Sequence, residues 1–216
     1  MASRPVTTVG AGDPIALGAV TRTGSVTLIA VAKVNGRAAF AGRWEEPLVP
    51  SGLPAQPYHA AAYLDAAAAE DMVGRGEQAA EEAAMAALGA ATAGLRTAAG
   101  PGVSAAGPGV PAGSRPAAAD IVGVAVVVKA VSVPGSVATV LRSHAWMHAA
   151  EGVLYRDAVL AAARRCGLRA HAVDAATLPE ADDILRDLGR DAGRPWRRIE
   201  KDAARAALTL LSPAGA

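Results

Sequence analysis

The sequence predicts an α/β domain with a mixed sheet that begins with an antiparallel hairpin and continues with strands linked by helices. Asn35-Gly36 separates two apolar runs, and this dipeptide is the strongest short hairpin signal. The run DIVGVAVVVKAV, which starts at Asp120, is nearly continuous and rich in β-branched residues, as in a strand that helices cover on both faces. Strands then alternate with helical segments to the end of the chain, which is typical of helix-linked strands in one sheet.

The composition limits the classes of partner and compartment. The 216 residues contain 21 Lys and Arg against 20 Asp and Glu, which gives a net charge of +1. This balance excludes the general attraction of a strongly basic chain to nucleic acid or anionic membrane, so any polyanion site must be local. The single cysteine, Cys166, excludes an intramolecular disulfide. Because residues 1–24 lack a signal-peptide pattern and no long apolar run follows, we expect a cytoplasmic protein without a membrane segment.

Local signals define the first elements. Residues 1–24 contain Pro and Gly that interrupt every apolar cluster, which predicts a flexible N-terminal arm. A single α/β domain is expected over residues 25–212. Residues 25–34 and 37–48 are its predicted hairpin strands.

A long alanine-rich helix follows the hairpin. It is expected from Tyr58 to about Leu95, with Gly74 and Gly76 splitting it. Residues 98–118 consist mainly of Gly, Pro, Ala and Ser and have nothing to bury, so they predict a disordered loop inside the domain.

The second half of the chain begins with the buried strand, predicted over 120–130. Ser136 is placed to cap a helix that continues toward Cys166, and Gly167 is its predicted stop. The remaining predicted elements are, in order, a short strand over 168–175, a helix over 179–188 and a last helix over 196–211.

This order of elements resembles the ribonuclease H-like fold, and within it the Holliday-junction resolvase branch, over about residues 25–211. In that comparison the hairpin from Ser25 to Leu48 supplies the first strands, and the strand from Asp120 to Ala130 is the fourth. The resemblance implies carboxylates on the first strand, the fourth strand and the last helix that hold two divalent metals about 4 Å apart for attack on a phosphodiester. It also implies a nucleic-acid partner.

The carboxylates that the resemblance implies are missing from this sequence. The predicted first and fourth strands offer instead Ala30, Ala32 and Lys33, and Val127, Val128 and Lys129. On the last helix, Arg205 stands where a second acid is expected after Asp202. We therefore expect a ribonuclease H-like protein that lacks two-metal nuclease activity and is associated with nucleic acid.

One helix face concentrates groups that can carry chemistry. At about 100° per residue, four side chains fall within an arc of about 60°: His144, His148, Glu151 and Tyr155. Two histidines four residues apart can chelate one divalent metal, with Glu151 as a further ligand, so these three are the predicted metal site. Without a metal, Glu151 is the predicted catalytic base and His148 its partner. His144, Tyr155 and Arg156 are predicted to bind substrate.

The same face has a structural interpretation. The polar groups can lie in a packed core and satisfy one another by hydrogen bonds, with no role in chemistry. Tyr58 and His59 are interpreted as residues at a helix start, and Cys166 as an incidental thiol.

A second candidate site lies at the start of the last helix. Basic side chains beside an aromatic ring suit phosphate contacts and base stacking, and the predicted nucleic-acid-binding residues are Arg194, Trp196, Arg197, Arg198 and Lys201. The alternative is an ordinary charged surface, because nearby acids nearly neutralise the segment.

These observations lead to three functional hypotheses. The first is the nucleic-acid-associated protein described above. The second is a small-molecule or metal-dependent enzyme that uses the His/His/Glu face, with a divalent metal as its cofactor. The third is an assembly protein that forms homo-oligomers through the small residues of the alanine-rich helix.

Overall fold

A computed structural model describes residues 9–10, 12–98 and 120–212. Five strands form one mixed sheet in the order β3-β2-β1-β4-β5: β1 (Pro14–Arg22), β2 (Ser25–Val34), β3 (Arg37–Pro47), β4 (Asp120–Val128) and β5 (Ala170–Asp174). β1, β2 and β3 pair antiparallel, whereas β1, β4 and β5 run parallel. The predicted α/β fold class, a mixed sheet with an antiparallel hairpin and helix-linked later strands, is confirmed, and this order of strands resembles that of the ribonuclease H-like fold.

Helices cover both faces of the sheet. They are α1 (Pro57–Ala61), α2 (Ala66–Ala98), α3 (Val137–Val140), α4 (His144–Arg165), α5 (Asp182–Ala192) and α6 (Arg198–Leu211). The face covered by α1 to α4 is called the first face, and the face covered by α5 and α6 the second face. None of the helices in the described part of the chain combines the length and the apolarity that a membrane crossing requires.

The predicted flexible arm is wrong for residues 14–22, because they form β1 at the centre of the sheet. Pro14 stands at the first position of the strand, where a missing N–H is tolerated. Gly18 marks a close backbone approach, since a Cβ there would lie 1.7 Å from the carbonyl oxygen of Ala203 in α6. The domain therefore starts before residue 25, and the predicted hairpin is β2 and β3. Residues 1–8 and 11 of the predicted arm lie outside the described part of the chain.

The predicted split of the alanine-rich helix is also misplaced. The helical region is interrupted at residues 62–65, between α1 and α2, and α2 then continues through Gly74 and Gly76. Glycine in a helix costs only about 1 kcal/mol, which packing can offset. Gly76 has such a contact, because a Cβ on it would lie 2.9 Å from the Pro57 Cβ atom. Residues 99–118 of the predicted loop lie outside the described ranges.

Most signals in the second half are matched by the structure. β4 lies inside the sheet between β1 and β5. Ser136 caps α3, and a second cap, Ser143, accepts a hydrogen bond from the Trp146 N–H and starts α4. Gly167 follows α4 with a φ of 73°, the left-handed conformation that ends many helices. The last two helices start a few residues later than predicted, at Asp182 and Arg198.

The small-residue face of α2 is covered within the chain. α2 packs against α4 and β3, and its buried alanines are Ala69, Ala80, Ala84, Ala87 and Ala91. The surface on which the assembly hypothesis depends is therefore already used in the fold. Homo-oligomer formation stays a prediction, but it would have to use a different surface.

Candidate functional site

A recess of about 400 Å³ lies at the carboxyl ends of the parallel strands β1 and β4, beside α4. Three valines at these strand ends line it: Val20, Val127 and Val128. In open α/β sheets, ligands bind in crevices beyond the carboxyl ends of the strands. The volume lies within the usual range of small-ligand pockets. Position and size both make this recess the candidate site.

Three basic side chains surround the recess. Arg22 ends β1, Lys129 follows β4 directly, and Arg156 lies on α4. Arg22 and Lys129 are exposed, and neither has an ion-pair partner among the residues that the structure describes. Arg156 donates a 2.8 Å hydrogen bond to the Lys129 carbonyl and pairs with the exposed Asp157 at 3.2 Å. The rim therefore carries a local excess of positive charge.

The carboxyl ends of the central strands offer no free acid. Because β1 covers residues 14–22, the positions to examine on the first strand are Val20, Thr21 and Arg22 rather than Ala30, Ala32 and Lys33. β4 ends with Val127 and Val128, followed by Lys129, as the sequence predicts. The corrected strand assignment thus leaves the expected lack of strand carboxylates unchanged.

The last helix has an acid that is held in ion pairs. Asp202 lies 3.3 Å from the guanidinium of Arg205 and 3.4 Å from that of Arg198. Arg205 also reaches Asp182 of α5, at 3.3 Å. A pair of divalent metals requires oxygen ligands on several elements, and this donor set provides valines, a lysine and neutralised acids. The residues present do not fit the two metal ions of the nuclease centre.

A cluster of three histidines adjoins the recess. His144 and His148 occupy the first two turns of α4, and their Nε2 atoms are 3.0 Å apart. His59, on α1, completes the cluster, with ring centroids 4.9 Å from His144 and 4.5 Å from His148. One ring nitrogen of each histidine lies within 4.8 Å of the other two. The helical spacing predicts that His144 and His148 lie side by side, whereas the sequence pattern indicates His59 only as a residue at a helix start.

Glu151 connects this cluster to the core. The residue is 3 % exposed, and its carboxylate accepts three hydrogen bonds. They come from the Nδ1 of His59 at 2.8 Å, the backbone N–H of His59 at 3.3 Å and the amide of Gln56 at 3.2 Å. Glu151 thus orients His59 and lies behind it as seen from the other two histidines.

The other residues that the sequence assigns to this helix face have structural partners. Tyr155 is buried, and its hydroxyl donates a 2.6 Å hydrogen bond to the carbonyl of Ala55. Burial, reinforced by the negative charge of Glu151, raises the pKa of Tyr155 to about 12. Tyr155 therefore remains a neutral donor at physiological pH and holds the segment before α1 against α4.

The predicted basic segment near α6 has mostly structural contacts. The indole N–H of Trp196 bonds to the Leu185 carbonyl at 3.0 Å, and its ring packs edge-on against Phe40. Arg197 pairs with the buried Glu200 at 3.4 Å. Arg198 pairs with Asp202 as described above, while Arg194 and Lys201 are exposed. The aromatic ring of this segment is occupied by packing, and two of its cations are paired.

Comparison with known proteins gives matches only at the level of structure. No family model matches the chain, and no curated protein matches it. The chain is similar to RuvC of T. thermophilus in complex with a Holliday junction substrate, with 17% identity, 90% coverage of each chain and a TM-score of 0.46. It is also similar to a second Thermus thermophilus RuvC structure, with 16% identity, 90% coverage of this chain, 92% of that chain and a TM-score of 0.44. The strand order and directions of this chain define its α/β fold class without these comparisons.

Proposed function

We propose that the chain binds the phosphate groups of nucleic acid at the carboxyl ends of β1 and β4, and that it does not cleave them by a two-metal mechanism. The observation that carries the proposal is the set of cations around the recess: Arg22, Lys129 and Arg156. Phosphate contacts supply most of the affinity of non-specific nucleic-acid binding, and basic side chains are the groups that make them.

The arrangement of the rim favours a polymer over a small enclosed ligand. Arg22 and Lys129 are exposed at the ends of two different strands, and the third cation, Arg156, lies on α4. A strand of nucleic acid can place successive phosphates against such separated charges. The apolar floor, formed by valines, gives a base or sugar a surface to contact.

Fluorescence anisotropy with labelled single-stranded and four-way-junction DNA tests this proposal. Three phosphate contacts should give a slope of log affinity against log salt concentration of about −2 to −3. Arg22→Ala and Lys129→Ala should each weaken binding at low salt and reduce the magnitude of the slope by about 1. Arg186→Ala, which removes the same charge from an exposed position of α5 on the second face, is the matched control and should bind as the unaltered chain does.

Two results would contradict DNA binding at the recess. One is the absence of DNA binding at low ionic strength, and the other is equal binding by the Arg22→Ala, Lys129→Ala and control variants. Full competition by a mononucleotide, at an equal concentration of nucleotides, would indicate that the recess binds a small phosphorylated ligand instead of a nucleic acid. Junction cleavage that depends on Mg²⁺ would contradict the second half of the proposal.

A further inference from the structure

We propose that His59, His144 and His148 form a binding site for a zinc-class divalent metal ion. The proposal starts from the convergence of the three imidazoles. They come from two helices that are distant in the sequence, and one ring nitrogen of each lies within 4.8 Å of the other two. The fourth histidine of the chain, His171, lies on β5 and does not belong to the cluster.

The spacing of the two α4 histidines suits a single metal ion, and His59, whose ring nitrogen lies within 4.8 Å of theirs, would move closer on binding. The Nε2 atoms of His144 and His148 are 3.0 Å apart. Two imidazole nitrogens on one tetrahedral Zn²⁺, each at about 2.05 Å, are roughly 3.3 Å apart. The pair therefore needs to open by only a few tenths of an ångström. Histidines four residues apart on a helix are well placed for this, since they lie on the same face.

Glu151 prepares His59 for the role of a ligand. Its carboxylate lies 2.8 Å from the Nδ1 of His59, so Nδ1 is the donor of this contact, and in the neutral imidazole Nε2 then carries the lone pair. This Nε2 is buried and has no hydrogen-bond partner among the described residues. A carboxylate on the distal nitrogen of a metal-binding histidine fixes the tautomer and ring orientation. A bound metal would satisfy the nitrogen that the fold leaves without a partner.

The ligand chemistry selects the class of ion. Three imidazoles without a carboxylate ligand suit Zn²⁺ and its neighbours Co²⁺, Ni²⁺ and Cu²⁺, and they do not suit Mg²⁺ or Ca²⁺. Three histidines leave a fourth tetrahedral position open. His144 and His148 are exposed, so this position is accessible to water. His148 and Glu151 also line the recess, which places the proposed ion at its wall.

Titration of the metal-free, untagged chain with Zn²⁺ and Co²⁺ tests the site in the absence of DNA. We expect one equivalent of Zn²⁺ by calorimetry and an intense visible Co²⁺ spectrum of tetrahedral type. His144→Ala and His59→Ala should abolish stoichiometric binding, and His171→Ala should leave it unchanged. Glu151→Gln should retain the site but weaken its affinity about 10- to 100-fold.

The outcomes separate this proposal from the proposed function. His144 is exposed at the start of α4, so His144→Ala remains informative if His59→Ala fails to fold. Lack of stoichiometric binding by the unaltered chain would overturn the site, as would equal binding by His144→Ala and His171→Ala. Unchanged affinity in Glu151→Gln would overturn the role given to Glu151. None of these readouts depends on whether the chain binds nucleic acid.

Discussion

Helices on both faces of the sheet hold ion pairs, but the charged side chains around α6 and those around the recess differ in their partners. On the second face, Arg197, Arg198 and Arg205 all lie against acids of α5 or α6. On the first face and at the adjoining strand ends, Arg22 and Lys129 lie free of ion pairs within the described ranges. Paired charges mainly hold helices in place, whereas unpaired charges around a recess remain available to a ligand. The difference between the two regions lies at the recess, where we propose that the unpaired charges bind a ligand.

The largest expected effect concerns the second face. Gly18→Ala puts a Cβ against the backbone of Ala203, so α6 must move away from β1. We expect a loss of about 3 kcal/mol in the free energy of unfolding, measured by urea denaturation. Gly89→Ala is the control, because nothing lies within 4 Å of the added Cβ and alanine favours the helix by up to about 1 kcal/mol. Equal stability of the two variants would show that the close contact between α6 and β1 is unnecessary.

Among the described residues, each face of the sheet has one buried glutamate, Glu151 on the first and Glu200 on the second. Glu151→Ala leaves His59 and Gln56 without their acceptor, and we expect a loss of about 2 kcal/mol together with impaired metal binding. Glu200→Ala removes the acceptor of the Arg197 N–H at the start of α6, with an expected cost of about 1 kcal/mol. Zinc titration of both variants is the decisive measurement. A metal defect in Glu200→Ala would contradict the placement of the proposed metal site on the first face.

The double variant Arg22→Ala/Lys129→Ala tests the proposed DNA binding at the recess. Loss of two phosphate contacts should lower DNA affinity about tenfold at low salt, with little change in stability. Arg197→Ala/Arg198→Ala, which carries the same charge change on the second face, should retain most of the affinity. The reverse ranking, measured by anisotropy, would favour the segment near α6 as the binding surface.

The smallest effect is a dependence on alkaline pH. The pKa of Tyr155 is raised to about 12 in the folded chain from its ordinary value of 10. Below pH 10 both states keep the proton, and between about pH 10 and 12 only the unfolded state loses it, so stability falls as pH rises. Tyr155→Phe should weaken this fall in urea melts across that range. Tyr63→Phe, at a side chain that is 91 % exposed, should leave it unchanged.

Part of this architecture follows from local sequence signals. Asn35-Gly36 and the β-branched run from Asp120 identify β2, β3 and β4, because turn chemistry and hydrophobic pattern act over a few residues. β1 is not predicted, because Gly18 is one of the glycines and prolines that interrupt the apolar pattern of residues 1–24. A glycine is required at position 18 because α6 approaches closely there, at Ala203. A local sequence pattern cannot indicate a contact between residues so far apart in the chain.

The candidate site shows the same limit. The spacing of His144, His148 and Glu151 places them on one helix face, and the structure brings the two histidines together. The approach of His59 depends on how α1 docks against α4. The chemistry of Tyr58-His59 could have suggested a further ligand, but only the tertiary fold supplies its position. Glu151, which the sequence assigns as a ligand and base, instead lies behind His59.

The contact between His59 and Glu151 joins residues 92 positions apart, so the cluster exists only when α1 is docked on α4. An ion held there would fasten α1, at the start of the helical layer, to α4. Since it would bind the folded chain and not the unfolded one, each tenfold rise in free ion above its dissociation constant would add about 1.4 kcal/mol to the resistance against unfolding. Chelators would then act on this protein as mild denaturants, and its melting temperature would report the supply of metal.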